Sequence, residues 1–177
     1  MKKVLLFVLS LGLLFTSCEK GGLVLPDADT DGMLKSAEVK MLPFKADIQS
    51  TIIEYNEGVP VSGFLSGTMS HLGKLNAEKS IWYTSALSFD ENTGTITWEA
   101  FGDSYAANGD IMHYLFSGSL NLPTNTLTAY VDIDGGTGRF EFADGYMDIT
   151  GYADDPTAIT TVHMEGEGFI SSVGSSK

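Results

Sequence analysis

Thr126-Leu127-Thr128-Ala129-Tyr130-Val131-Asp132-Ile133 alternates polar and apolar side chains without a break. In an extended chain successive side chains point to opposite faces. Leu127, Ala129, Val131 and Ile133 therefore share one side, and Thr126, Thr128, Tyr130 and Asp132 share the other. This is a strand with one face in a core and one in water. The same period of two governs Phe44, Ala46, Ile48 and Ile52, then Met147 and Ile149, then Val162 and Met164. A period of 3.6 is nearly absent, so helices are not expected in the body of the chain.

Turn chemistry divides these runs. Glu57-Gly58-Val59-Pro60, Asp90-Glu91-Asn92-Thr93-Gly94, Asn108-Gly109, Pro123-Thr124-Asn125 and Asp154-Asp155-Pro156 carry the residues that reverse a chain. Strands are expected over 44–55, 60–72, 76–89, 94–105, 109–121, 126–134, 145–153 and 159–171. Eight meandering strands close naturally into an antiparallel barrel, because closure removes the free edges. A β-sandwich is the alternative. A barrel of this size is filled by side chains or holds one small ligand. Residues 111–116, Ile-Met-His-Tyr-Leu-Phe, are apolar on both faces, which predicts that a helix, the tether or a partner covers the outer side of that strand.

The whole chain has 177 residues, with 10 Lys+Arg against 23 Asp+Glu and a net charge of -13. Arg139 is the only arginine, so the clustered cations that neutralise phosphates are missing and nucleic acid is not an expected partner. Cys18 is the only cysteine, which excludes a disulfide scaffold. Hydrophobic residues make up 43% of the chain, enough for one domain with a real core.

The N-terminal stretch supplies its own assignment. Lys2 and Lys3 precede an apolar run over residues 4–15. At 1.5 Å per residue such a run is too short for the roughly 30 Å of a bilayer core, but it fits a secretory signal. Leu14-Phe15-Thr16-Ser17-Cys18 resembles a bacterial lipobox, with small residues directly before the cysteine. The resemblance implies cleavage after residue 17 and lipid attachment at Cys18. It further implies a lipoprotein of the Bacteroidetes type, anchored to the outer membrane in its periplasmic or cell-surface leaflet. Acylation also consumes a thiol that an exported protein would otherwise leave free.

Residues 18–42 read as an acidic tether, residues 43–171 as the barrel and residues 172–177 as a disordered tail. Within the tether, Asp27-Ala28-Asp29-Thr30-Asp31-Gly32-Met33-Leu34-Lys35-Ser36-Ala37-Glu38 follows the calcium-loop spacing D-x-[DN]-x-[DN]-G-x5-E. Asp27, Asp29, Asp31, the Met33 carbonyl and Glu38 would be the oxygen ligands. Pro26 leaves no room for an entering helix, and an acidic solvated linker produces the same spacing. No other cofactor is expected.

Three segments taken together resemble a known pattern. They are Gly67-Thr68-Met69-Ser70-His71-Leu72-Gly73-Lys74, Ala106-Ala107-Asn108-Gly109-Asp110, and Gly135-Gly136-Thr137-Gly138-Arg139-Phe140 followed by Ala143-Asp144-Gly145. Their order is similar to that in small secreted bacterial proteins with an allene oxide cyclase-like barrel, related in shape to dirigent proteins and calycins. The resemblance covers 43–171 and implies a calycin-like fold. His71, Asp110, Gly136, Gly138, Arg139 and Phe140 have structural readings within it: tight turns at the glycines, Arg139 paired with a carboxylate, and Phe140 plugging one end.

No catalytic set emerges from the sequence. His71, His113 and His163 are the only histidines and lack metal spacing, and His113 reads as a hydrogen-bonded core residue. Gly63-Phe64-Leu65-Ser66-Gly67 lacks the spacing of a nucleophile elbow. The reading is a non-enzymatic envelope module that binds a small apolar or glycan-like ligand. The aromatic candidates for a cavity or outer patch are Trp82, Tyr83, Trp98, Tyr105 and Tyr114. A cyclase- or isomerase-like enzyme acting on a small lipophilic substrate is one alternative, and a calcium-ordered tether is the other.

Overall fold

The computed structural model describes residues 40–171. Cys18, the loop pattern with Asp27, Asp29, Asp31, Met33 and Glu38, and the tail at 172–177 lie outside the described residues.

β1 (Met41–Asn56) and β2 (Val59–Met69) are followed by a two-residue strand, β3 (Gly73–Lys74). Then come β4 (Ile81–Asp90), β5 (Thr95–Tyr105), β6 (Ile111–Asn121), β7 (Thr126–Gly136), β8 (Asp144–Ala153) and β9 (Thr161–Ser171). From β4 to β9 each strand pairs antiparallel with the next. β1 pairs with β9 on one side and β2 on the other, and β2 reaches β4. The eight long strands thus form a closed ring, the all-β barrel expected from the alternation and not a sandwich. β3 is a short addition on β2.

Several boundaries differ from the expectation, β1 beginning at Met41 and not at 44, and two of the differences have a visible cause. The third long strand begins at Ile81, because residues 76–80 form a turn in which the Asn76 carbonyl accepts from Lys79 N (3.1 Å) and Ser80 N (2.9 Å). Ser80 is fully buried, and its Oγ accepts from Tyr105 N at 3.0 Å. β2 ends at Met69, because His71 takes a left-handed φ of 66° and turns the chain. The His71 ring stacks on Phe44, and its Nε2–H donates to the Pro43 carbonyl at 3.2 Å.

The inward positions carry the core, and one end of the barrel is sealed. Phe44, Met112, Phe140 and Ile170 are completely buried there. The glycine-rich segment builds this seal. Thr137 N donates to the Ile111 carbonyl (2.8 Å), and Thr137 Oγ1 accepts from Ile111 N (3.1 Å). A side chain at Gly136 would collide with that same carbonyl. At Gly138, whose φ is +59°, a side chain would collide with the Asp110 carboxylate. Arg139 Nε donates to Asp110 Oδ2 at 2.6 Å, and the guanidinium lies 5.7 Å from the Phe140 ring centre. Asn108 Nδ2 donates to the same Oδ2 at 2.9 Å. A polar clip on the outside therefore holds the apolar plug on the inside.

The Arg139 hydrogen bond, followed by that of Asn108, holds the Asp110 carboxyl below its usual range. A carboxylate with a depressed folded pKa stabilises the fold above its unfolded value, and that contribution disappears as pH falls through the folded value. Asp110→Asn should lower the urea midpoint at pH 7. It should also flatten the further loss of stability below about pH 3.8, where the unfolded carboxyl is protonated. Parallel acid-side loss in the parent and the variant would count against the clip.

Candidate functional site

The interior is not completely filled. A cavity of about 90 Å³ runs through the barrel beyond the sealed end. That is room for more than one water but less than the roughly 300 Å³ of pockets for drug-sized molecules. Its wall is apolar and draws on all eight long strands, and no Asp, Glu, Lys, Arg or His lines it. Four methionines, Met69, Met112, Met147 and Met164, contribute unbranched side chains that can repack around different shapes.

The mouth follows from strand register. β2 and β4 pair only from Ser62–Phe64 to Ile81–Tyr83. Beyond that point Val59 and Pro60 on β2 and Thr84 and Leu87 on β4 line the cavity and are partly exposed. A register shift between Thr84 and Ala86 bends β4 there. The wall is thus sealed at the Phe140 end and parted where β2 and β4 separate.

Three of the five candidate aromatics face this space. Trp82, Trp98 and Tyr114 line it, and each lies opposite a glycine on a neighbouring strand: Trp82 pairs with Gly63, Trp98 with Gly118 and Tyr114 with Gly102. A Cβ at those glycines would stand 2.7 Å from Trp82 Nε1, 2.7 Å from Trp98 Cζ2 and 2.5 Å from the Tyr114 hydroxyl. The missing side chains are the space into which the aromatic rings lie. Tyr83 points outward and is exposed, and Tyr105, also on the outer face, does not line the cavity.

Polar groups in the wall are few. Trp82 Nε1 donates to Ser50 Oγ at 2.8 Å, joining β4 to β1 across β2. Trp98 Nε1 is buried with no hydrogen-bond partner, and the Tyr114 hydroxyl is buried beside the Ser104 hydroxyl. Burial pushes the Tyr114 phenol well above its usual pKa, so it remains a neutral donor. Ser50, Thr84 and the three glycines are site residues that sequence reading missed. Their only signal was parity, since Ser50 follows Ile48 and Gly102 follows Ala100 on the inward side.

The histidines stand elsewhere. His113 is not a core residue: Met112 and Tyr114 take the inward positions, and His113 Nδ1 meets Asp103 Oδ1 at 2.6 Å on the outer face. His163 Nε2 meets Asp154 Oδ1 at 2.7 Å, and its ring stacks on Tyr152. The outer side of β6 is not covered by any described residue, and Leu115 is 52% exposed. Leu115 belongs to a register row running Tyr83, Phe101, Leu115, Asp132, Tyr146 and Phe169 across six strands. No cluster of metal-ligating side chains occurs among the described residues.

No family model and no curated protein matches the chain. Among solved structures it is similar to a pterocarpan synthase dirigent protein, with 16% identity and a TM-score of 0.44 over 81% of this chain and 91% of that one.

The Trp82–Ser50 bond should be a stabilising stitch across the wall. Ser50→Ala leaves a buried indole N–H unpaired and should cost about 1–3 kcal/mol in urea unfolding. In a Trp82→Phe background the same change should cost much less; equal costs in both backgrounds would show that the bond is not the cause.

Proposed function

We propose that this chain is a lipid-anchored envelope protein whose barrel binds a small apolar ligand and does not transform it. The observation that carries the binding reading is the apolar cavity itself, sealed by Phe140 and parted between β2 and β4. Eight strands' worth of inward side chains leave this space when a few larger residues would fill it. Because no carboxylate, imidazole or amine lines it, general acid–base chemistry has no agent in the wall. Tyr114 is the sole titratable lining residue, and burial holds it neutral. These features favour holding a molecule over acting on it.

The envelope assignment draws on a different stretch. The basic start, the short apolar run and Thr16-Ser17-Cys18 support export and acylation. Multiple acyl chains on one cysteine would hold the protein at the outer membrane far more firmly than one chain.

Each half has its own measurement. Xenon or benzene titrated into the protein should shift the NMR resonances of Met112, Met147 and Leu127 methyl groups, and Ala129→Leu, which projects into the cavity, should weaken that response. A parent protein with no shift would remove the cavity reading. In cells fed labelled palmitate, the full chain should incorporate label and Cys18→Ala should not. An unlabelled parent would remove the anchor and leave the cavity untouched.

A further inference from the structure

The outer face of the barrel, away from the cavity, carries a strip of aromatic rings. The six-strand row breaks at Asp132, and on the β8–β9 side of that break three rings run together. The Tyr130 and Tyr146 rings lie nearly parallel with centres 6.1 Å apart, and the Phe169 ring lies 6.1 Å from that of Tyr146. The three residues are 47%, 38% and 42% exposed. Single exposed apolar side chains are ordinary, but a contiguous run of them marks an interaction surface.

Strand register sets carboxylates beside two of these rings. Tyr130 pairs with Asp148 and Tyr146 with Asp132, so rings and carboxylates alternate at the corners of one β7–β8 square. Asp134 and Asp144 face each other in the next outward pair. Asp132 and Asp148 are exposed, and neither makes an ion pair among the described residues. Lys45, two strands over from Asp148, is taken by Glu167 at 2.7 Å, and Arg139 is taken by Asp110. The charges decide what can cover the strip. A second copy of this face would set carboxylate against carboxylate, and an anionic lipid surface would meet the same repulsion. A cation satisfies both components, because carboxylates and ring faces each attract it. Guanidinium suits best, being planar and weakly hydrated. In an extended peptide alternate side chains lie about 6.8 Å apart, close to the ring spacing. We propose that the Tyr130–Tyr146–Phe169 strip, with Asp132 and Asp148 beside it, docks an extended segment of a partner protein that carries arginines at alternate positions.

The probe is the capped peptide Arg-Gly-Arg-Gly-Arg, titrated into isotope-labelled protein and followed by amide NMR shifts. The shifts should centre on Tyr130, Asp132, Tyr146, Asp148 and Phe169. The lysine version should bind about twofold to fivefold more weakly, and a glutamate version should not bind. Tyr130→Ser/Tyr146→Ser should lose about fivefold or more, and Tyr130→Phe/Tyr146→Phe should keep the parent's affinity. Asp132→Asn/Asp148→Asn should also lose about fivefold. Asp47→Asn/Glu165→Gln removes the same charge from a facing pair elsewhere on the outer surface and should lose less than about twofold. Equal losses from the two carboxylate pairs, or shifts spread over the acidic surface at large, would reduce the effect to general attraction and overturn the site. A parent that binds none of the peptides overturns it outright. Every one of these results leaves the cavity reading untouched.

Discussion

Everything in this domain depends on β1 pairing along both of its edges. Its partners are the next strand, β2, and the last, β9. With that strand in place, the sheet has no long open edge from which to recruit another chain. Closure also fixes the inside. Eight strands in a ring place every second side chain in one shared volume, so each large inward residue requires a small one nearby. The glycine partners of Trp82, Trp98 and Tyr114 meet that requirement. The cavity is what remains after this accommodation, not a feature added to it.

The least supported seam in the ring is also where the cavity parts. β2 and β4 share only three paired positions, and the wall there is completed by other means: Leu65 N donates to the Ser80 carbonyl (2.8 Å), and Leu75 bridges to Ala106. Trp82 reaches over Gly63 to Ser50, so one indole both closes the weak seam and forms part of the cavity wall. Stability and access to the interior are therefore coupled through a single side chain. At the opposite end the Asp110–Arg139 clip and Phe140 make the seal independent of that seam.

The barrel was legible because period-two patterning and turn residues report backbone and burial directly. Leu127 to Ile133 alternate in the structure as they do in the sequence. The misplaced start of β4 has a physical cause. Asn76 to Ser80 could extend as a strand, but their hydrogen bonds go to a turn and to Tyr105, partners remote in sequence. The site was legible only in part. Trp82 and Tyr83 are neighbours of opposite parity, so one must face in and one out, but choosing between them requires knowing that Gly63 lies across from Trp82. Alternation could place His113 outward only once Tyr114 was known to point in. Register is a property of strand pairs, and a single chain read by itself does not carry it.

The same reasoning separates what the barrel shape allows from what this wall allows. An eight-stranded barrel can be solid, can hold a ligand or can support catalysis, and the fold does not choose among them. The wall does. In a low-dielectric interior a charged reactant or catalyst needs a paired countercharge, and no lining residue supplies one. The acidic residues that dominate the composition lie elsewhere, as at Asp132 in the outer row and Asp110 in the clip. The net charge of the chain, -13, has no representative among the residues that line the cavity. Among the described residues the charged groups and the cavity are therefore kept apart, and closure of the ring encloses a neutral lining.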